Sequence, residues 1–249
     1  DVISLIISLG AIQIAKRIPN KQKTFGYHRA EIFAAFLNGV FLVVISIWMA
    51  AEAVERLQTG TNVEPVSMLI VGIIGLLANI YAAVGLRGSS DLNIKSAFLH
   101  VLTDTVSSVV VVVGAIAILT SGVDIVDPIL SLVIAFFILG STLKIVKQSA
   151  MILLEFTPEG VNIDEIIEKL EAIDTIDEIH DVHIWALSSN INVATLHVLT
   201  NEPDIAKQLT VKEKIREILV EYDVKHTTMQ FEYVLCHEAS EVEGACIDL

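Results

Sequence analysis

The chain has 249 residues, 53% of them hydrophobic, and a mean hydropathy of +0.67 that excludes an ordinary soluble domain. Its net charge of −14 is divided unevenly: residues 1–150 carry ten Lys/Arg and nine Asp/Glu, whereas residues 151–249 carry six and twenty-one. This predicts a transmembrane domain followed by a soluble acidic one, and it excludes nucleic acid as a partner, because phosphate neutralisation needs basic side chains.

Taken in chain order, residues 1–15 read as the second part of a spanning helix, too short to cross alone. No basic n-region precedes them, so no cleavable signal peptide is expected, and the abrupt start at Asp1 predicts that an N-terminal piece is missing. Residues 32–54, 67–86, 93–119 and 128–145 are each long and apolar enough to span a ~30 Å hydrocarbon core at about 1.5 Å per residue. Pro128 suits the first turn of the last of these. The expectation is four full spans and one remnant.

The loops alternate in charge. Lys16, Arg17, Lys21, Lys23 and Arg29 lie before the first full span; Arg87 and Lys95 flank a later loop; Lys144 and Lys147 follow the last span. The intervening loops hold Glu52, Glu55, Arg56 and Glu64, then Asp124 and Asp127. The positive-inside rule places the basic loops and the C-terminal domain in the cytoplasm.

After Pro158 the periodicity changes. Ile163, Ile166, Ile167 and Leu170 have helical spacing; residues 180–187 and 192–199 read as strands around a Ser188-Ser189-Asn190 turn; residues 205–222 are helical and 227–234 alternate as a strand. An αββαβ order over about 80 residues predicts a small α+β domain with helices on one face of a sheet. The expected domains are residues 1–150 (transmembrane), 158–235 (cytoplasmic) and a tail, 236–249.

The chemistry concentrates in a few places. His100 and Asp104 are four residues apart in an apolar segment, so imidazole and carboxylate project from one face of a helix. A carboxylate in a spanning helix costs about 2.5–3.5 kcal/mol on insertion scales and seeks a partner or a wet cavity. A nitrogen and a hard oxygen at this spacing suit a small divalent cation, and hydrogen bonding to neighbouring helices is the alternative. His180, His183 and His197 lie on the first two strands, with His226 and Glu232 on or beside the third. Period two predicts His180 and His183 on opposite faces, so that not all of these residues address one ion. His180, His197 and Glu232 converge if their strands are neighbours, and solvated sheet histidines are the alternative.

Cys236 and His237, with Cys246 further on, form a candidate soft-ligand zinc site, although the spacing is not a tight C-x-x-C and a solvated tail fits equally. Two thiols in a cytosolic tail are expected reduced or metal-bound rather than bridged. His28 and Glu31 read as solvated or capping residues, and Asn38 and Asn79 as amides joining helices. No H-E-x-x-H motif, nucleophile elbow or phosphate-binding loop is present, so the sequence points away from an enzyme or an ATP-driven pump.

Four motifs then share one pattern: Thr24-Phe-Gly-Tyr-His-Arg-Ala-Glu31, His100-Val-Leu-Thr-Asp104, Asp181-Val-His-Ile-Trp185 and Thr228-Met-Gln-Phe-Glu232. In this order they resemble the cation diffusion facilitator zinc transporters over essentially the whole chain, most closely the bacterial zinc and cadmium efflux members. The resemblance implies a homodimer in a bacterial inner membrane that exchanges a cytoplasmic divalent metal, Zn2+ first and then Cd2+ or Co2+, for external protons. It implies six spans in the intact protein, with a ferredoxin-like cytoplasmic domain. It also implies a tetrahedral transport site to which His100 and Asp104 contribute from the fifth span. Asp1 resembles the Asp that ends the second-span motif, its partner lying four residues upstream. This predicts a fragment that does not transport by itself.

A second metal site of some members, in the loop before the third span, is expected to be absent, because Asn20, Lys23 and Tyr27 stand at those positions. The resemblance further implies that His180, His197 and Glu232 bind metal between protomers and sense internal metal; His226 lies near another such position without aligning cleanly. A non-transporting membrane metal sensor or scaffold, and a proton-coupled carrier of an organic substrate, are the competing readings of the sequence.

Overall fold

The computed structural model describes residues 10–11, 13–60, 64–86 and 92–233, without the side chains of residues 86, 92–100 and 103. Four long helices come first: α1 (His28–Thr59), α2 (Pro65–Leu86), α3 (Leu92–Ser121) and α4 (Val126–Leu153). Each contains a stretch long and apolar enough to cross a membrane. Their outward side chains are apolar: Trp48, Val71, Tyr81 and Phe136 are all at least 65% exposed, the arrangement that lipid rather than water rewards. α1, α3 and α4 overrun the expected spans at both ends, and α2 only at its start, ending at Leu86 as expected. Pro128 sits in the first turn of α4, where its missing N–H costs nothing.

The chain divides into two compact units, Gly39–Lys144 and Asp1–Asn38 with Ile145–Leu249. Within the first, α2 lies along α3, and small residues set the approach. A Cβ added at Gly72 would meet Val112 Cγ2 at 3.1 Å and Val111 Cγ1 at 3.2 Å, and one at Gly75 would meet Ser108 Oγ at 3.8 Å. Without a hydrophobic force between helices in lipid, such close backbone contact and interhelical hydrogen bonds hold the pair together. The expected bond from Asn79 is one of them: its Nδ2 donates to Ser108 Oγ at 3.1 Å. At the end of α1, Arg56 pairs with Glu52 at 2.5 Å and with Asp127 of α4 at 3.4 Å.

In the second unit the C-terminal chain runs α5 (Ile163–Glu171), β1 (Glu178–Ser188), β2 (Ile191–Leu199), α6 (Ile205–Val220) and β3 (Val224–Glu232). This is the αββαβ order that the periodicity predicts. The sheet order is β1-β2-β3, with β1 antiparallel and β3 parallel to β2. The parallel pairing follows from the α6 crossover, since a tight turn can join only antiparallel strands. Both helices start at side-chain caps. Asn162 Oδ1 accepts from the Asp164 and Glu165 N–H groups, and Asp204 Oδ1 from that of Ala206.

The core forms between the helices and one face of the sheet. Ile166 and Leu170 of α5, and Val211, Ile215 and Leu219 of α6, meet Ile179, Val182, Ile184, Ala194, Leu196 and Val198. Burying a large aliphatic side chain contributes about 1.5–3 kcal/mol, so this face holds the domain together and leaves the other free for polar work.

One expectation is overturned. The core takes Ile179, then Val182 and Ile184, so strict alternation fails between them. The cause is a bulge: His180 pairs with His197 and His183 with Thr195, so that two residues on β1, Asp181 and Val182, stand against one on β2, Leu196. His197 and Thr195 share a face, so His180 and His183 share it too, rather than lying on opposite faces.

Candidate metal centres

The transmembrane candidate lies on α3. His100 and Asp104 are one turn apart on this helix, and Asp104 is half-buried at the start of the 18-residue apolar span Asp104–Ser121. The Asp104 backbone carbonyl accepts from Ser108 Oγ at 2.9 Å, and Ser108 in turn holds Asn79 of α2. A polar ladder therefore joins α3 to α2 at the depth of the carboxylate. The His100 side chain and Asp1 lie outside the described residues.

The loop positions expected to lack a second site are engaged otherwise. Asn20 Oδ1 closes a turn by accepting from the Gln22 and Lys23 N–H groups, each at 2.9 Å. Lys23 Nζ stands 4.2 Å over the Tyr27 ring. An ammonium in that place opposes cation binding.

The cytoplasmic candidate is assembled on the polar face of the sheet. Pairing puts His180 opposite His197, and Glu232 reaches them from the end of β3. One ligand-type atom from each of the three lies within 4.8 Å of the others. His197 Nδ1 is 3.0 Å from Glu232 Oε1, His180 Nε2 is 3.3 Å from Glu232 Oε2, and the two rings meet edge to face at 5.4 Å. All three side chains are largely sequestered, Glu232 being only 8% exposed.

What distinguishes this cluster is unmet valence. Glu232 Oε1 accepts from Gln230 Nε2 at 2.7 Å, but Oε2 is buried without a hydrogen-bond partner, as are both ring nitrogens of His180. Buried polar groups are ordinarily paired, and leaving one unpaired costs about 1–3 kcal/mol. Two imidazole nitrogens and a carboxylate oxygen are the donor set of a tetrahedral zinc site with an open position, so the residues fit a divalent cation.

The bulge adds a residue that period-two reasoning missed. Asp181 stands at φ +50°, and its carboxylate contacts His183 Nε2 at 2.8 Å through Oδ1 and His197 Nε2 at 3.4 Å through Oδ2. The signal was in the sequence: Asp is a poor strand residue but one of the few that tolerate positive φ. His226 goes elsewhere. It is exposed, with its ring edge to face against Phe25 at 6.0 Å, and is not among the three clustered ligands. Cys236, His237 and Cys246 lie outside the described residues.

Comparison with known proteins bears on both centres. The family model described as the cation efflux transmembrane domain matches residues 1–154, and that of the cation efflux protein cytoplasmic domain matches residues 158–234. The chain belongs to the cation efflux family. It is 37% identical over 237 residues to the cadmium, cobalt and zinc/H(+)-K(+) antiporter of Bacillus subtilis, covering 93% of this chain and 76% of that one. It is 35% identical over 246 residues to the metal cation efflux system protein CzcD of Cupriavidus metallidurans, covering 98% and 78%. To the zinc transporter ZitB of Escherichia coli it is 36% identical over 242 residues, covering 95% and 76%. As a member of the cation efflux, or cation diffusion facilitator, family the protein is a secondary transporter and not an enzyme. It is integral to the membrane, with its C-terminal domain in the cytoplasm.

Proposed function

We propose that this cation efflux transporter exports Zn2+ from the cytoplasm in exchange for protons, with His100, Asp104 and Asp1 as transport ligands. The observation that carries the reading is a half-buried carboxylate on an apolar spanning helix, one turn from a histidine, in a chain of this family. The relatives' names support the cargo: zinc appears in those from Bacillus and Escherichia, cadmium and cobalt also in the former, together with H+. Metal binding needs deprotonated carboxylates and neutral imidazole, so metal and protons compete for one ligand set. Two carboxylates neutralise a divalent ion and offset much of its desolvation at membrane depth. Protonation of the ligands from the outer side releases the ion, and reopening inward reloads the site.

Zinc-for-proton exchange measured in vesicles containing the transporter tests this. Asp104→Ala and His100→Ala are each expected to abolish exchange. Wild-type exchange in either variant would end the proposal.

The cytoplasmic cluster supports a second function for the same protein: His180, His197 and Glu232 hold a regulatory divalent cation, Zn2+ foremost, that tightens a homodimer. The buried His180 nitrogens and Glu232 Oε2, which make no hydrogen bond, carry this reading. The matching family model takes its name from dimerisation, which supports the homodimer. Calorimetry is expected to show zinc binding that His197→Ala removes, and binding unchanged by that substitution would defeat the claim.

A further inference from the structure

The strained bulge at Asp181 has no use in the core, and both of its carboxylate oxygens address histidines. We propose that Asp181 is the positioning residue of the cytoplasmic metal centre. Set at positive φ between His183 and His197, it is the acceptor for the His197 Nε2–H when a cation takes Nδ1, and so fixes the ring with Nδ1 toward the cluster. The inference rests on the reading of His180, His197 and Glu232 as a cation site and adds a residue to it.

The geometry runs as a chain. His183 Nε2 to Asp181 Oδ1 is 2.8 Å, Asp181 Oδ2 to His197 Nε2 is 3.4 Å, and His197 Nδ1 to Glu232 Oε1 is 3.0 Å. A neutral imidazole carries one proton, and the hydrogen bond made by one nitrogen decides which of the two is left to bind metal. Asp181 Oδ2 faces one ring nitrogen of His197 and Glu232 Oε1 the other, so a cation that displaces the proton from Nδ1 leaves the Nε2–H to Asp181. Carboxylate–histidine–metal arrangements fix ring orientation and raise ligand basicity in this way.

Asp181 is not itself a fourth ligand of the cluster: Oδ1 is engaged by His183, and Oδ2 faces the distal nitrogen of His197. The strand reaches this arrangement only through the bulge. At φ +50° the extra residue lifts a carboxylate into the sheet's polar face, where regular alternation would have sent it into the core among Ile179, Val182 and Leu196. A purely structural bulge would be better served by glycine, which pays nothing for positive φ.

The test uses the whole chain in detergent on an Asp104→Ala background, which silences the transport ligands. Zinc affinity is read by competition with a chelating dye, and the His197 Nε2 resonance of the zinc-loaded protein by nitrogen-15 NMR after histidine labelling. Asp181→Asn keeps a residue that tolerates the left-handed conformation, and Asp181→Gly removes the backbone strain altogether. Both are expected to weaken the His197-dependent site by about 10- to 100-fold, and both should move the His197 Nε2 resonance of the zinc-loaded protein toward that of a ring with no carboxylate acceptor. Wild-type affinity in Asp181→Gly together with an unchanged His197 Nε2 resonance would overturn the proposal while leaving the metal site standing. Zinc binding identical in the Asp104→Ala protein and in the Asp104→Ala/His197→Ala protein would overturn the site itself, and the positioning role with it.

Discussion

Arg29 in the first turn of α1 and Glu155 just past the end of α4 form an ion pair of 2.6 Å, although 126 residues separate them. Glu155 stands at φ +62°, where a helix end ordinarily places glycine. The Phe156 N–H donates to the Met151 carbonyl and the Glu155 N–H to that of Ile152, which completes the Schellman cap. A glutamate kept in a glycine position identifies the carboxylate as the reason. The pair is partly solvent-exposed, 35% and 57%, so its own stabilisation is only about 0–1 kcal/mol. Glycine would lose the pair but gain about 1 kcal/mol from relief of the left-handed backbone, whereas alanine would lose the pair and gain nothing. Thermal unfolding in detergent should therefore leave Glu155→Gly near wild type and place Glu155→Ala about 1 kcal/mol below it. Equal stabilities of the two variants would show that the positive φ stores no strain.

The sequence carried the gross architecture because lipid and sheet each impose a strict period. Four apolar runs became α1 to α4, and the alternations around His180, His197 and Glu232 became three adjacent strands. Two features were not legible. The parallel pairing of β3 with β2 depends on where α6 lays the chain down, a tertiary choice that no local pattern around Thr228 encodes. The bulge at Asp181 breaks the very period by which a strand is recognised, and it moved His183 to the face opposite the one alternation predicts. Where reasoning by period failed, the chain had put a polar residue to use.

The seam between α2 and α3 should be intolerant of bulk. At Gly72 a new side chain meets two valines, whose branched Cβ atoms make them stiff, and it must part the helices. Gly140 on α4 has no atom within 4 Å of its added Cβ. Gly72→Leu is expected to cost about 1–3 kcal/mol by overpacking and Gly140→Leu close to nothing. Detergent unfolding of the two variants compares them directly. A Gly72→Leu protein as stable as Gly140→Leu would mean that α2 and α3 are not in close contact.

The surface of the cytoplasmic domain carries a pH signature. The Glu165 carboxyl is held below the ordinary carboxylate range, first by the hydrogen bond from Lys169 and next by that from the Tyr222 hydroxyl. A carboxyl depressed in the folded state stabilises the fold above its unfolded pKa, and that contribution disappears as pH falls through the folded value. The contribution is small, since the group is at the surface. Glu165→Gln should flatten the acid limb of the stability–pH curve without moving the neutral plateau far. An acid limb superimposable on wild type would exclude a role for this carboxyl.

Zinc itself should act as a stabiliser through the cytoplasmic cluster. A ligand that binds the folded state alone adds RT ln(1 + [L]/Kd), about 2.7 kcal/mol at a hundred times Kd. In the Asp104→Ala background this increment is expected to vanish in His180→Ala, His197→Ala and Glu232→Gln, each of which removes one of three converging donors. His226→Ala separates this site from a diffuse histidine effect. Its ring is packed against Phe25 rather than turned to the cluster, so the zinc-dependent rise in unfolding temperature should survive in that variant. A rise that fades equally in His226→Ala and His197→Ala would disperse the binding over the sheet face, and the convergence of His180, His197 and Glu232 would then have no consequence for metal.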